Sequence, residues 1–203
     1  GSTDSRFELN THFNTQLSNT WSSSLFLHGN TRATKMDKNG DGFMDNPLAK
    51  QINILNRYQY YDAEKGWVSF INFKYINDKK QTGQLHFNPR TDKGTTRFWG
   101  SEINTERLDV STKLGYVFKD MPYQSIGFQN AFTTHNQQSY FGLNQYNIKQ
   151  NSYYSNLIFN SIINNTMHKF ATGLNFTLDN YQELVAVKDW SRTDNSIGAF
   201  FEY

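Results

Sequence analysis

From Phe7 onward the chain changes chemistry at every second residue, over stretches longer than an ordinary strand. Phe7, Leu9, Thr11, Phe13, Thr15 and Leu17 alternate with Glu8, Asn10, His12, Asn14 and Gln16. Leu108, Val110, Thr112, Leu114, Tyr116 and Phe118 alternate in the same way with Asp109, Ser111, Lys113 and Gly115, and Phe170, Thr172, Leu174, Phe176 and Leu178 with Ala171, Gly173, Asn175, Thr177 and Asp179. A period of two means extended backbone with two unlike faces. Nine strands are predicted, near 6–17, 20–30, 50–62, 67–78, 102–119, 124–140, 147–163, 169–182 and 195–203. Most exceed the usual strand of about five or six residues.

Two architectures use such strands. In a soluble two-sheet sandwich the polar side faces water, the apolar side meets a second sheet, and turns recur every eight to twelve residues or so. In a transmembrane barrel, strands of about ten tilted residues show an apolar face to lipid and a polar face to the lumen. The predicted strands are long for a sandwich, and Gly115, Gly127, Gln129, Gly173 and Asn175 on the polar face suit a wet lumen. No run of about eighteen apolar residues occurs, so no helical span is expected. Seventeen Phe, twelve Tyr and four Trp are nevertheless many for a chain of mean hydropathy −0.74. An apolar face turned outward accounts for both. The fold expected is therefore an all-β, antiparallel, up-and-down transmembrane β-barrel segment of about nine strands.

The connections give a second line of argument, because such barrels have tight turns at one rim and long loops at the other. Short links are expected at 18–19, 63–66, 120–123 and 164–168, and longer ones at 31–49, 79–101, 141–146 and 183–194, in strict alternation. Trp21, Tyr60, Tyr61, Trp67, Phe118 and Tyr123 fall near the short links, as an interfacial aromatic girdle would. The competing reading places these rings in a sandwich core.

The first long link carries Asp37-Lys38-Asn39-Gly40-Asp41-Gly42-Phe43-Met44-Asp45. Oxygen-bearing side chains at positions 1, 3, 5 and 9, a backbone carbonyl at 7 and a turn glycine at 6 are the pattern of a calcium loop. The ligands expected are Asp37, Asn39, Asp41, the carbonyl of Phe43, and Asp45, with Ca2+ in a structural role. Position 12 is Leu48, not the glutamate of a helix-loop-helix hand, so the ion would sit in a loop between strands. The alternative is an ordinary surface turn, where Asp, Asn and Gly are common for their own conformational reasons.

The 203 residues read as one unit, 1–203, with 31–49 as the calcium-loop region and no linker or repeat. A net charge of +2 without a basic stripe argues against nucleic acid as partner. The absence of cysteine excludes disulfides, thiolate catalysis and sulfur-bound zinc. His12, His28, His86, His135 and His168 lie without metal spacing, and no nucleophile elbow, phosphate loop or carboxylate pair stands out, so no enzyme activity and no catalytic residue are expected. Two loop segments, Leu85-His86-Phe87-Asn88-Pro89-Arg90 and Arg97-Phe98-Trp99-Gly100, offer aromatics and cations for ligand contact or for loop packing. The opening Gly1-Ser2 reads as an expression remnant without a leader, so a mature or truncated piece is expected.

Four segments carry a family likeness. His28-Gly29-Asn30-Thr31 through Met36 to Asp45, Ser152 to Ile163, His168 to Leu174, and Gly198-Ala199-Phe200-Phe201-Glu202-Tyr203 resemble the barrel of TonB-dependent outer-membrane receptors of Bacteroidetes-type bacteria. The resemblance implies an internal part of a barrel of about 22 strands with a plugged lumen. It implies uptake of a scarce nutrient of the cobalamin or iron-siderophore class, driven by the TonB complex through a plug this sequence lacks. The partners it implies are outer-membrane lipid, that complex, the nutrient and a surface lipoprotein; the location is the Gram-negative outer membrane. The alternatives are a small standalone outer-membrane porin or adhesin and a soluble calcium-dependent β-sandwich binding module.

Overall fold

A computed structural model describes residues 5–203. Nine long strands run antiparallel in chain order: β1 (Arg6–Gln16), β2 (Trp21–Arg32), β3 (Leu48–Asp62), β4 (Trp67–Gly83), β5 (Gly100–Phe118), β6 (Met121–Phe141), β7 (Asn144–Ile163), β8 (Asn165–Val185) and β10 (Arg192–Glu202). A two-residue strand, β9 (Lys188–Asp189), continues the line of β10 along β8. All lie in one up-and-down sheet that is not closed, and no second sheet packs on it among the described residues. The chain is all-β and antiparallel, as its alternation predicts.

Pairing in register joins the alternation of each strand into two continuous faces. Residues directly opposite share a face, so one row runs Ser23, Tyr58, Ile71, Thr112, Asn130, Ser155, Phe176 and Ile197. This is the apolar face, which also holds Phe7, Leu27, Ile54, Phe73, Val110, Phe128, Phe132, Leu157 and Leu174. The opposite face carries Asn10, His12, His28, Asn53, Arg57, Lys74, Arg107, Asp109, Gln129, Thr133, Gln150, Asn156, Asn175 and Asp179. A one-residue slip anywhere would exchange the faces beyond it, so this hydrophobic pattern fixes the register.

The apolar band climbs across the sheet. Its upper boundary in β1, Phe7, aligns through Thr31, Lys50 and Lys79 with Asn104 of β5. In β10 the boundary residue, Ile197, aligns through Phe176, Ser155 and Asn130 with Thr112 of β5. From 104 to 112 over eight strand steps is roughly one residue per strand, and about 3.3 Å of rise per 4.8 Å of width is a slope near 35°, the tilt of barrel strands.

No core lies under either face. The buried apolar side chains among the described residues are Met36, Met44, Phe87 and Tyr140, all at the end where β2–β3 and β4–β5 are joined. The exposed surface is 13297 Å². A compact monomer of 23.7 kDa would expose roughly 9,800 Å². Leu114, Phe128, Leu157 and Leu174, in the middle of the sheet, remain 38–57% exposed.

Two of the four long links differ from expectation. The β2–β3 and β4–β5 links, 33–47 and 84–99, are long, but β6 and β7 meet at Gly142-Leu143, and β8 and β9 at Ala186-Val187. Gly142 at φ 60 and Ala186 at φ 53 supply the left-handed geometry of tight hairpins. Here β5 to β8 continue past the apolar band as hydrogen-bonded backbone that is mainly polar on both faces, with Ile103, Phe141, Ile148 and Leu184 as isolated exceptions, so the length lies in strand overhang. The opposite links are short throughout, ending with the single residue Asn164 at φ 67.

Candidate functional site

Three features sit at different heights on this sheet: an aromatic girdle, a polar wall and a cap of two loops. The girdle follows the short-turn edge of the apolar face. Trp21 lies 5.1 Å from Tyr60, Trp67 4.8 Å from Tyr116, Tyr116 5.1 Å from Phe118, Phe159 6.1 Å from Phe170, and Phe170 5.8 Å from Phe201, centroid to centroid. Trp21, Tyr60, Trp67 and Phe118 thus stand where the sequence predicts. Tyr61 does not: it pairs with Val68 on the polar face. Tyr116, Phe159, Phe170 and Phe201 complete the girdle and emerge only once the register is known.

The polar wall is a set of side-chain networks. Arg107 grips Asp109 through Nε and Nη2 at 2.9–3.0 Å, and Thr133 donates to the same carboxylate at 2.6 Å. Arg57 donates to Asn72 at 2.7 Å, and Asn72 to Ser111 at 3.1 Å. Ser152 and Gln150 both donate to Asp179. Charge-assisted bonds of this type hold a polar surface in one arrangement. His12 and His28, 16 positions apart in sequence, come to one side of a cavity of about 480 Å³ with Asn53 and Lys74. His12 stacks on Phe26 at 4.1 Å, and His28 bonds Asn10 at 2.6 Å.

The cap is built by links 33–47 and 84–99 folding on one another. Phe43 bridges Gln84, Met44 N donates to Gly83 O at 2.9 Å, Leu85 N donates to Gly42 O at 2.9 Å, and Lys35 Nζ donates to Leu85 O and Phe87 O at 2.8 Å. Phe87 is 1% exposed and is seated over Gly100, where a Cβ would collide with its ring. Its other neighbour is Tyr140, at 6.4 Å, under the ammonium of Lys93 at 4.6 Å. Tyr140 lies eight positions past Phe132, beyond the apolar band; burial, reinforced by its hydrogen bond to Glu102, pushes its phenol well above the usual range. Of the aromatics predicted to meet a ligand, Phe87 is core of this cap, whereas Trp99 stays 44% exposed beside Phe43.

The predicted metal ligands all lie in the cap, tied to backbone amides. Asp37 accepts from Gly40 and Gly42 at 2.7 Å and from Asp41 at 3.2 Å; Asp41 accepts from Phe43 at 2.8 Å; Asn39 accepts from Asp41 N at 3.2 Å; Asp45 accepts from Lys38 at 2.8 Å. Gly40 and Gly42, at φ 75 and 84, make the turn that brings those amides inward. The donors are oxygen only, as a hard cation needs. A carboxylate has about four lone-pair sites, so each Asp keeps capacity for an ion. No three Asp, Glu or His side chains converge at metal-binding distance among the described residues, so Asp37, Asp41 and Asp45 share one loop without being gathered into a ligand set.

Compared with known proteins, this chain matches no family model, no curated protein and no solved structure.

Proposed function

We propose that this chain is a segment of an outer-membrane transport barrel whose apolar face meets lipid and whose polar face lines a lumen. The observation that carries the reading is the pair of unlike faces, continuous over nine strands with neither face covered. Water on both sides would leave the whole apolar band solvated, whereas lipid on one side removes that cost at about 25 cal/mol per Å². From Trp67 to Tyr75 the band is eight steps tall, about 26 Å along the strand, or roughly 20 Å vertically at such a tilt, close to the apolar height of these barrels.

Strand direction supports a segment of something larger. Nine alternating strands leave β1 and β10 pointing the same way, so joining these edges would make a parallel pair, while bacterial single-chain barrels close with even numbers of antiparallel strands. Both edges are long and unpaired, a form that seeks further strands. On this reading the polar wall faces a nutrient or a plug, and energy comes from a TonB complex as the family likeness implies; cobalamin and iron-siderophores are the substrate classes it suggests.

The test uses four variants that each keep one tryptophan, in vesicles with brominated acyl chains. Trp21 and Trp67 are expected to be quenched strongly, Trp99 and Trp190 weakly. A chain that stays monodisperse in plain buffer, with all four alike, sinks the reading.

The cap adds a calcium site on the loop rim. Calcium at about a hundred times its Kd should raise stability by roughly 2.7 kcal/mol. Chelator should reverse this, and Asp41→Ala should abolish the calcium dependence, read as the shift in unfolding midpoint with and without the ion. An equal shift in the variant removes calcium from the proposal.

A further inference from the structure

Directly above the apolar band, on its own side of the sheet, Lys50 of β3 stands opposite Lys79 of β4. Like charges directly opposite in an antiparallel pair repel. Both side chains are exposed, and neither forms an ion pair with a described residue. The two acids of β5 that lie diagonal to Lys79, Glu102 and Glu106, each accept a phenol hydroxyl at 2.9 Å, from Tyr140 and Tyr75. Next to Lys79 the same face opens into a shallow cavity of about 280 Å³ lined by the amides of Asn77, Asn104, Asn136 and Gln138, with Thr105 and the Tyr75-bonded Glu106 completing the wall. A second one, of about 310 Å³, adjoins it across Asn136 and Gln138 and adds Asn147, Lys149 and two acids already engaged, Glu183 by Arg192 and Asp189 by the Ser191 amide.

We infer that this belt is a binding site for anionic lipid, with the phosphate between Lys50 and Lys79 and the headgroup hydroxyls on the amides of the cavity. The inference rests on the membrane reading above. Height decides between water and headgroup. Lys50 and Lys79 are one register step beyond Ile52 and Asn77, and two beyond Ile54 and Tyr75, so the ammonium groups stand where phosphates lie when the apolar band is in hydrocarbon. A phosphate there turns the repulsion into two attractions. Amide side chains provide both donors and acceptors, which suits hydroxyl groups better than a zwitterionic choline. Above the band the outer face of β4, β5 and β7 carries amides and charged groups with no apolar side chain, a surface matched to headgroups.

The experiment uses the full chain in vesicles of phosphatidylcholine, with phosphatidylglycerol added in small share, and measures which lipid is retained after extraction into mild detergent. The wild type is expected to enrich phosphatidylglycerol. Lys50→Gln with Lys79→Gln should lower the enrichment by about 25-fold, since each lysine near anionic lipid contributes roughly fivefold. Lys65→Gln with Lys119→Gln, at the opposite rim, should leave it unchanged. Insertion without preference, or equal loss in both double variants, overturns the lipid site alone. Full competition by soluble glycerol 3-phosphate at the lipid's own concentration also overturns it, by making the site one for free phosphate. Failure to insert into pure phosphatidylcholine overturns both this inference and the membrane reading.

Discussion

Arginine in place of Phe128 is expected to cost about 2–4 kcal/mol of unfolding free energy in lipid vesicles, while arginine in place of its neighbour Gln129 should cost little. Phe128 is at mid-height on the apolar face, between Leu114 and Leu157, and Gln129 is one residue on, among the polar side chains. The two sites share a strand, a backbone environment and a similar openness, so the difference isolates which face meets lipid. Urea titration of the vesicle-bound protein measures it. In plain buffer, both would be surface substitutions worth within about 0.5 kcal/mol of each other. Equal costs in vesicles would remove the lipid from the argument.

The second large effect concerns the cap. Truncating Phe87 to alanine should cost about 3–5 kcal/mol, the range for a buried aromatic, because Gly100 and Tyr140 leave a cavity the loops cannot fill. The loss should be local. Amide exchange is expected to rise steeply in 84–99 and 33–47 and to stay unchanged in β6 to β8, whose hydrogen bonds do not depend on the loops. The two links should loosen together, since Lys35 and Leu85 tie one to the other. Exchange that rises only in 84–99 would mean the loops are independent.

What could be read from the residues depended on where their chemistry alternates. Within the apolar band, Leu108 to Phe118 or Phe170 to Leu178, the two faces differ sharply, and strand, face and neighbour order follow from period two alone. Past the band that contrast vanishes: Asn136-Gln137-Gln138 is polar on both sides although the backbone stays fully paired. Residues 141–146 and 183–194 therefore look like loops when they hold two-residue turns. Adjacent rings are ambiguous for a related reason. Tyr60 and Tyr61 must point to opposite faces, and the pairing of Tyr60 with Trp21 decides which one joins the girdle. In the cap, the pattern of oxygens locates Asp37 to Asp45 as a turn, but their use by backbone amides depends on folding that spacing does not encode. Phe87 looks like an exposed loop aromatic because the residue that makes room for its ring, Gly100, contributes no side chain of its own.

Every long strand in this sheet touches only its neighbours in the chain, and each pair of consecutive strands returns to the level where it began. The hairpin is thus an interchangeable unit. Excising two adjacent strands with their turns would let the flanking strands meet in the same antiparallel sense with outward and inward sides preserved, and duplicating two would widen the wall by the same increment. A sheet made this way can change its width in evolution without redesigning any residue that remains.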